Sequence, residues 1–310
     1  MTYPRAHLVD TENGGFYHCV SRCVRRAWLC GKDPISGHSY EHRKQWVESY
    51  LLRLANIFTV NLFGYAVMSN HYHVIVETLP DVAKALDDEE VARRWVQLSP
   101  ALDEVAAKNR VSTILDDAAR IAELRERLGN LSWFMRYINE PIARRANKED
   151  NCKGRFWEGR FESFVMLDEP AVICGLAYVD LNPIRAGITQ SVERAPHTSI
   201  KRRIDHETVD CASLADLECL GMTLSTYRQL LEWTVAVDRG SLVDPGKRTR
   251  QLLDRFGHGT GEWLPQIMSN RLRHRAYGSA ENLRRYAKKL GQRWIKKGSS
   301  TTTTKANNPR

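Results

Sequence analysis

Hydrophobic and polar positions fall into different rhythms along these 310 residues, and each change of rhythm marks an element. After a polar lead ending in Gly14-Gly15, Phe16–Val24 (FYHCVSRCV) reads as a strand. Tyr40–Leu62 contains a helix, with Trp46, Tyr50, Leu51, Leu54 and Ile57 at helical spacing. Val60–Met68 and His71–Thr78 (HYHVIVET), rich in aromatic and β-branched residues, flank the turn signal Ser69-Asn70 and predict a β-hairpin. Pro80–Arg127 differs in kind: few aromatics, 11 acidic and 8 basic residues and helical periodicity predict a helical insertion over about 80–130. Leu131–Lys148 is a further amphipathic helix containing Arg144-Arg145, Asn151–Gly154 a loop, and Arg155–Leu167 (RFWEGRFESFVML) strand-like. Asp168 as N-cap, Glu169 and Pro170 in the first turn and apolar residues through Leu181 predict a helix that Asn182-Pro183 stops.

In order this is β, α, β-β, helical insert, β, α. The economical assembly is α+β: a four-stranded antiparallel sheet with helices on one face. From about Ser191 the pattern breaks into short helices: Leu214–Leu220, Thr223–Val237, Gly246–Phe256, Trp263–Ile267 and Ala280–Lys296. The expected organisation is a sheet domain over 10–200, a helical extension over 201–297 and a disordered tail over 298–310.

Composition narrows the class. With 42% hydrophobic and 27% charged residues the chain can bury a core. No apolar run approaches the ~18 residues of a membrane helix, and the N-terminus carries no signal-peptide hydrophobic region. Seven cysteines (Cys19, Cys23, Cys30, Cys152, Cys174, Cys211, Cys219) include no CxxC pair and read as free thiols of a reducing compartment, so a cytoplasmic protein is expected. The net charge of +9 is uneven: residues 241–310 hold 16 Lys/Arg against 4 Asp/Glu, which leaves −3 for the rest. A basic extension on a near-neutral body points to a polyanion, with Trp263, Tyr277, Tyr286 and Trp294 available for packing or base stacking. Its candidate phosphate contacts are Arg271, Arg273, Arg275, Arg284 and Arg285.

Chemistry concentrates in two places. In His71-Tyr72-His73, strand alternation puts both imidazoles on one face with ~6–7 Å between their Cα atoms, a ready metal clamp. Alone, His-x-His also occurs in strands with no such role. In AYVDLNP, Tyr178 and Asn182 are four residues apart and share a helix face, so a phenol and an amide could meet the histidines together. A core tyrosine followed by a helix-ending Asn is the structural alternative.

Taken together these segments resemble a family. YAVMSNHYHVIVET looks like the histidine–hydrophobe–histidine strand of HUH single-tyrosine transposases. GRFWEGRFES and YVDLNPIRAG are similar to the segments that follow it in REP-associated tyrosine transposases and related insertion-sequence transposases, and GGFYHCVSRCVRRAWLCG resembles the family's first strand. The resemblance covers about residues 10–200, interrupted by the insertion, and implies a ferredoxin-like sheet. It implies that His71 and His73 bind Mg2+ or Mn2+, with Asn182 as a further ligand. It also implies that Tyr178 attacks a phosphate of single-stranded or hairpin DNA, giving a 5′-phosphotyrosine and a free 3′-OH that strand transfer can reuse. A phenol's pKa is ordinarily ~10, so a nearby cation helps form the phenolate.

Arg144, Arg145, Lys153, Arg155, Arg160 and Arg185 are candidate phosphate contacts near that site, and Phe156 and Trp157 either stack bases or pack on the sheet. Tyr137, in RYINEP, is a rival nucleophile, but its i+4 neighbour is Pro141, which offers no ligand. Tyr72 alternates away from the histidines. A non-catalytic DNA- or RNA-binding protein with the same fold is the alternative, and a replication-initiator or relaxase type fits the motif order less well. The family's habit of dimerising admits a homodimer, whereas so long an extension favours a monomer.

Overall fold

The computed structural model describes residues 9–24, 30–32, 37–99, 103–206, 213–256 and 276–293. Its elements run β1 (Gly15–Arg22), α1 (His42–Ile57), β2 (Val60–Val67) and β3 (His71–Thr78). The insertion follows as α2 (Pro80–Ala85), α3 (Asp88–Gln97), α4 (Glu104–Leu115) and α5 (Ala118–Leu128). Then come α6 (Leu131–Glu149), β4 (Glu162–Met166), α7 (Glu169–Asp180) and the single turn α8 (Asn182–Arg185). The extension supplies α9 (Ser199–Asp205), α10 (Leu224–Asp238), α11 (Gly246–Arg255), β5 (Ala276–Tyr277) and α12 (Ala280–Lys289).

The α+β expectation holds, with two corrections to the sheet. Its order is β2-β3-β1-β4-β5. The first four strands pair antiparallel, but a fifth, β5, runs parallel to β4 with Ala276 beside Val165 and Tyr277 beside Met166. Helices also cover both faces instead of one. Alternation along β3 is the cause: Tyr72, Val74 and Val76 enter a core with α1, α6 and the insertion, while Ile75 enters another with α7, α10 and α11. A sheet apolar on both sides must be covered on both.

Smaller departures have local reasons. Residues 155–161, expected to be strand, form a loop stitched to the end of β1, Val24 N–H donating to Phe156 O (2.8 Å) and Glu158 N–H to Arg22 O (2.8 Å). Helix α7 does end at Asp180, with Leu181 as its C-cap, just before Asn182-Pro183; the departure is that Pro183 then opens the further turn α8, where a missing N–H costs nothing. Leu214–Leu220 contains only a short 3-10 turn, Leu217–Leu220. The Trp263–Ile267 helix, Arg271, Arg273, Arg275, Trp263, Trp294, Cys211 and the 298–310 tail lie outside the described residues.

The extension does not stand apart from the sheet. The boundary expected after residue 200 falls inside α9. Beyond it, Leu230, Leu231 and Leu253 share a core with Leu176 and Val179 of α7. Both edges of the four-stranded part are also met by later chain. On β2, just ahead of the extension, Val67 N–H donates to His197 O (3.1 Å) and Tyr65 N–H to Ser199 Oγ (3.0 Å); beyond β4, the extension's Tyr277 O accepts from Leu167 N–H (2.8 Å). Backbone groups engaged in this way are not offered to another chain. Among the described residues no helix is long and apolar enough to cross a membrane. Among the described residues, Cys19, Cys23, Cys30, Cys152, Cys174 and Cys219 form no disulfide.

Helix α7 is seated closely. The β2–β3 register shifts between Leu62 and Gly64, and the bulge turns both Phe63 and Gly64 toward α7. A Cβ on Gly64 would lie 2.6 Å from Leu176 Cδ2, and one on Gly175 2.8 Å from Met166 Sδ. Both helix ends are tied by carboxylates. Asp168 accepts from Ala171 N–H (3.1 Å) as N-cap and, through its other oxygen, from Ser279 N–H (2.6 Å) and Asn282 Nδ2 (3.0 Å). Fully buried Asp180 accepts from Ser199 Oγ (2.7 Å), Ile200 N–H (3.0 Å) and Tyr227 Oη (2.7 Å).

Two stability outcomes follow from this seating. Gly64→Val overpacks the α7 contact and lowers unfolding free energy by about 1–3 kcal/mol in urea titrations. Burial raises the Asp180 carboxyl's pKa, three hydrogen bonds notwithstanding. The unfolded chain therefore ionises it first, and this group's contribution to stability falls as pH rises above the ordinary aspartate value of ~3.9. Asp180→Asn, which keeps an acceptor, gains on the wild type as pH rises from about 4 to 7. Asp180→Ala, which strands three donors, costs about 3 kcal/mol.

Candidate active site

On the α7-facing side of the sheet, imidazoles gather at one end. Strand β3 sends His71, His73 and Ile75 to it, and β1 sends His18, Val20 and Arg22, while Tyr17 and Cys19 enter the opposite core. His18 and His73 are buried and His71 is half-buried. The ring centroids of His71 and His73 lie 4.8 Å apart, and those of His18 and His73 5.1 Å.

Helix α7 and its continuation α8 bring the tyrosine and the amide over this patch. The half-buried Tyr178 ring stands 5.7 Å from the His73 ring and 6.0 Å from that of His18, edge-on to both. One turn later Asn182 Nδ2 lies 3.0 Å from His73 Nε2. The Arg185 guanidinium lies 4.9 Å from the centre of the Tyr178 ring. His71, His73, Tyr178, Asn182 and Arg185, separated in sequence, thus meet in one place.

All three imidazoles are held neutral. Burial, with His71 nearby, pushes His18 down to about 3. Burial and the Arg22 guanidinium push His71 down to about 4. Burial, the two neighbouring histidines, Arg22 and Arg185 hold His73 well below the ordinary range. Neutral imidazoles keep the lone pair that a ligand role needs. His71 Nδ1 lies 2.6 Å from Asn70 Oδ1, which can only accept, so the ring proton is on Nδ1 and Nε2 carries the lone pair. His71 Nε2, His73 Nε2 and the Asn182 amide are the groups that could hold a cation. Among the described residues no cluster of three or more His, Cys, Asp or Glu has metal-holding geometry.

The cations expected around the site separate into two groups. Lys153, Arg155 and Arg160 are exposed on the loop stitched to the end of β1, where Arg22 pairs with His71. Arg144 and Arg145 are on α6, which packs on the opposite face; Arg144 pairs with Glu140, and Arg145 lies over Trp46 (3.8 Å). Arg284 and Arg285 are on α12, whose Leu283 joins that same opposite core, and Arg285 pairs with Glu281 (2.9 Å).

The rival tyrosines are also elsewhere. Tyr137 packs against Phe58 (5.9 Å) and Trp95 (5.6 Å), and Tyr72 Oη donates to Asn139 Oδ1 (2.8 Å). Phe156 is buried, and Trp157 Nε1 donates to Asn139 O (2.8 Å), so both pack. Sequence reasoning missed His18, Arg22 and Asn70. A histidine two positions before Val20 and four before Arg22, on one side of the strand, was the available signal.

No protein-family model matches the chain, and no curated protein matches it. A solved structure of a REP-associated tyrosine transposase bound to a REP hairpin is similar with a TM-score of 0.39 and 12% identity, covering 70% of this chain and 93% of that one.

The depressed histidines set an acid limit. The unfolded chain takes up protons below about pH 6.5, where these rings are still neutral in the folded state. Stability therefore falls as pH drops from about 6.5 toward the folded values of about 4 for His71 and about 3 for His18. In the metal-free protein the His71 ring resonances, followed by NMR, stay constant down to pH 5 and move near pH 4.

Proposed function

We propose that this chain is a metal-dependent, transposase-like single-strand DNA endonuclease and strand transferase, built on a ferredoxin-like sheet, that cleaves hairpin or repeat DNA through a 5′-phosphotyrosine. The observation that carries the reading is the meeting of Tyr178 and Asn182, from successive turns, with the buried His73 ring.

The donor chemistry fits a divalent cation: two neutral neighbouring imidazoles, His71 backed at Nδ1 by Asn70 and His73 with Nε2 facing Asn182, whose side-chain amide also carries an oxygen. Imidazole nitrogen suits the later divalent metals and amide oxygen the harder ones, and Mn2+ lies between. Such a cation, when bound, neutralises the nonbridging phosphate oxygens and orients the phosphate.

The chain's own residues supply the rest. The Tyr178 oxygen attacks phosphorus: the Oη–P bond forms, the P–O3′ bond breaks, and the electron pair leaves on the 3′ oxygen. The phenol proton passes to water and the 3′ oxygen takes one from water. Arg185 places positive charge beside the ring that loses its proton. Arg22, Lys153, Arg155 and Arg160 bind flanking phosphates, and the basic 201–297 extension adds phosphate affinity. The phosphotyrosine keeps the energy of the broken ester, so a 3′-OH of another strand reverses the step and joins DNA without ATP.

The test is a labelled single-stranded hairpin DNA incubated with protein and Mn2+. Wild type gives an SDS-stable adduct; Tyr178→Phe gives none yet binds the hairpin within about twofold. His71→Ala and His73→Ala each lower adduct formation about 100-fold or more. Doubling Arg155→Ala with Arg160→Ala lowers the slope of log affinity against log salt by about 1.4. An adduct that persists in Tyr178→Phe refutes the nucleophile. Hairpin binding with no wild-type adduct favours a non-catalytic DNA-binding protein.

A further inference from the structure

Both ring nitrogens of His73 are engaged, and each bond constrains the other. Asn182 Nδ2 lies 3.0 Å from His73 Nε2, and an amide nitrogen donates but does not accept. Nε2 therefore carries the lone pair and the ring proton is on Nδ1. That nitrogen lies 2.9 Å from His18 Nε2, which must accept. His18 then holds its own proton on Nδ1, and His18 Nδ1 is buried with no hydrogen-bond partner.

A buried ring N–H without an acceptor is unfavourable and persists where another requirement outweighs it. The requirement here is the tautomer of the next ring. His71 reaches the same state by another route, giving its Nδ1 proton to Asn70. The two histidines thus present matching Nε2 lone pairs, one backed by an exposed turn and the other by a buried imidazole. His18 also fits the place sterically: its ring stacks on His73 (5.1 Å, 26° between planes) and is flanked by Phe164 at 5.6 Å, which restricts its rotation.

We propose that His18 is a positioning residue, which accepts the Nδ1 proton of His73 and thereby presents the His73 Nε2 lone pair toward Asn182 and the Tyr178 helix. The inference deepens the metal-dependent reading and rests on it for its consequence, but not for its geometry. Outer partners of this kind fix ring orientation and tautomer, and losing one costs about 10–100-fold in metal affinity.

The experiment has a metal-free arm and a metal arm, both on the full chain. In the metal-free arm, long-range 1H–15N spectra of uniformly labelled protein at neutral pH report the tautomer of His73, assigned by the peaks that vanish in His73→Asn. The expected result is Nδ1–H in wild type and in His18→Gln, whose carbonyl still accepts, and loss of that single tautomer in His18→Leu. In the metal arm, Mn2+ titration followed by electron paramagnetic resonance gives affinities about 10–100-fold weaker for His18→Leu and within about threefold for His18→Gln.

A wild-type His73 protonated on Nε2 overturns the proposal, as does equal loss of Mn2+ affinity in both variants. If His18→Leu does not fold, the wild-type and His18→Gln tautomers decide. If wild type shows the expected tautomer but binds no Mn2+, His18 keeps its role and the metal reading fails by itself.

Discussion

Everything at the candidate site depends on how closely one helix can lie on one sheet. The side chains of Tyr178 and Asn182 reach His73 only because α7 is seated where Gly64 and Gly175 leave no Cβ in the way. The bulge at Leu62/Gly64 is part of the same device, since it places the missing side chain under Leu176. Packing at this density does not yield gradually, because interiors transmit strain instead of absorbing it. Asp168 and Asp180 then fix the two ends of the helix, so its rotation and its height are both set. The geometry of the site is a consequence of that steric fit.

The site also divides its electrostatics by depth. At the bottom, three imidazoles are kept neutral by burial, so they offer lone pairs and not charge. At the rim, Arg22 and the exposed loop cations supply positive charge in water, where it is inexpensive to maintain. A polyanion approaching the rim is attracted over a Debye length, while the interior stays able to discriminate by geometry. Arg185 lies between these layers, half-buried against the Tyr178 ring.

Much of this was legible in the chain because the signals were local. HYHVIVET states its alternation outright, and Asp168-Glu169-Pro170 states the start of α7. The acid-rich insertion also announced its helices. What was not legible depended on partners distant in sequence. A two-residue strand such as β5 has no period to detect, and it exists because Leu167 offers its N–H to Tyr277. That both sheet faces are covered follows from Ile75, Phe63 and Met166 meeting α7 and α10, a fact of assembly and not of any one segment. His18 escaped for a related reason: a lone histidine in FYHCV gains meaning only when β3 is placed beside β1. Arg144-Arg145 misled in the opposite sense, since a basic pair near the site in sequence is carried to the far face by α6.

The closure of the sheet by β5 also has a consequence in time. A chain emerging from the ribosome completes β1 to β4 and α7 about a hundred residues before Ser279 and Asn282 exist to meet Asp168. Until then the Asp168 carboxylate holds only its own helix and the β4 edge lacks β5, although Tyr227, which meets Asp180 at the other end of α7, has already been made. The nascent protein therefore carries His71, His73, Tyr178 and Asn182 before it carries every contact that seats α7. A product that stops short of Ser279 keeps those side chains and lacks the second set of bonds at Asp168.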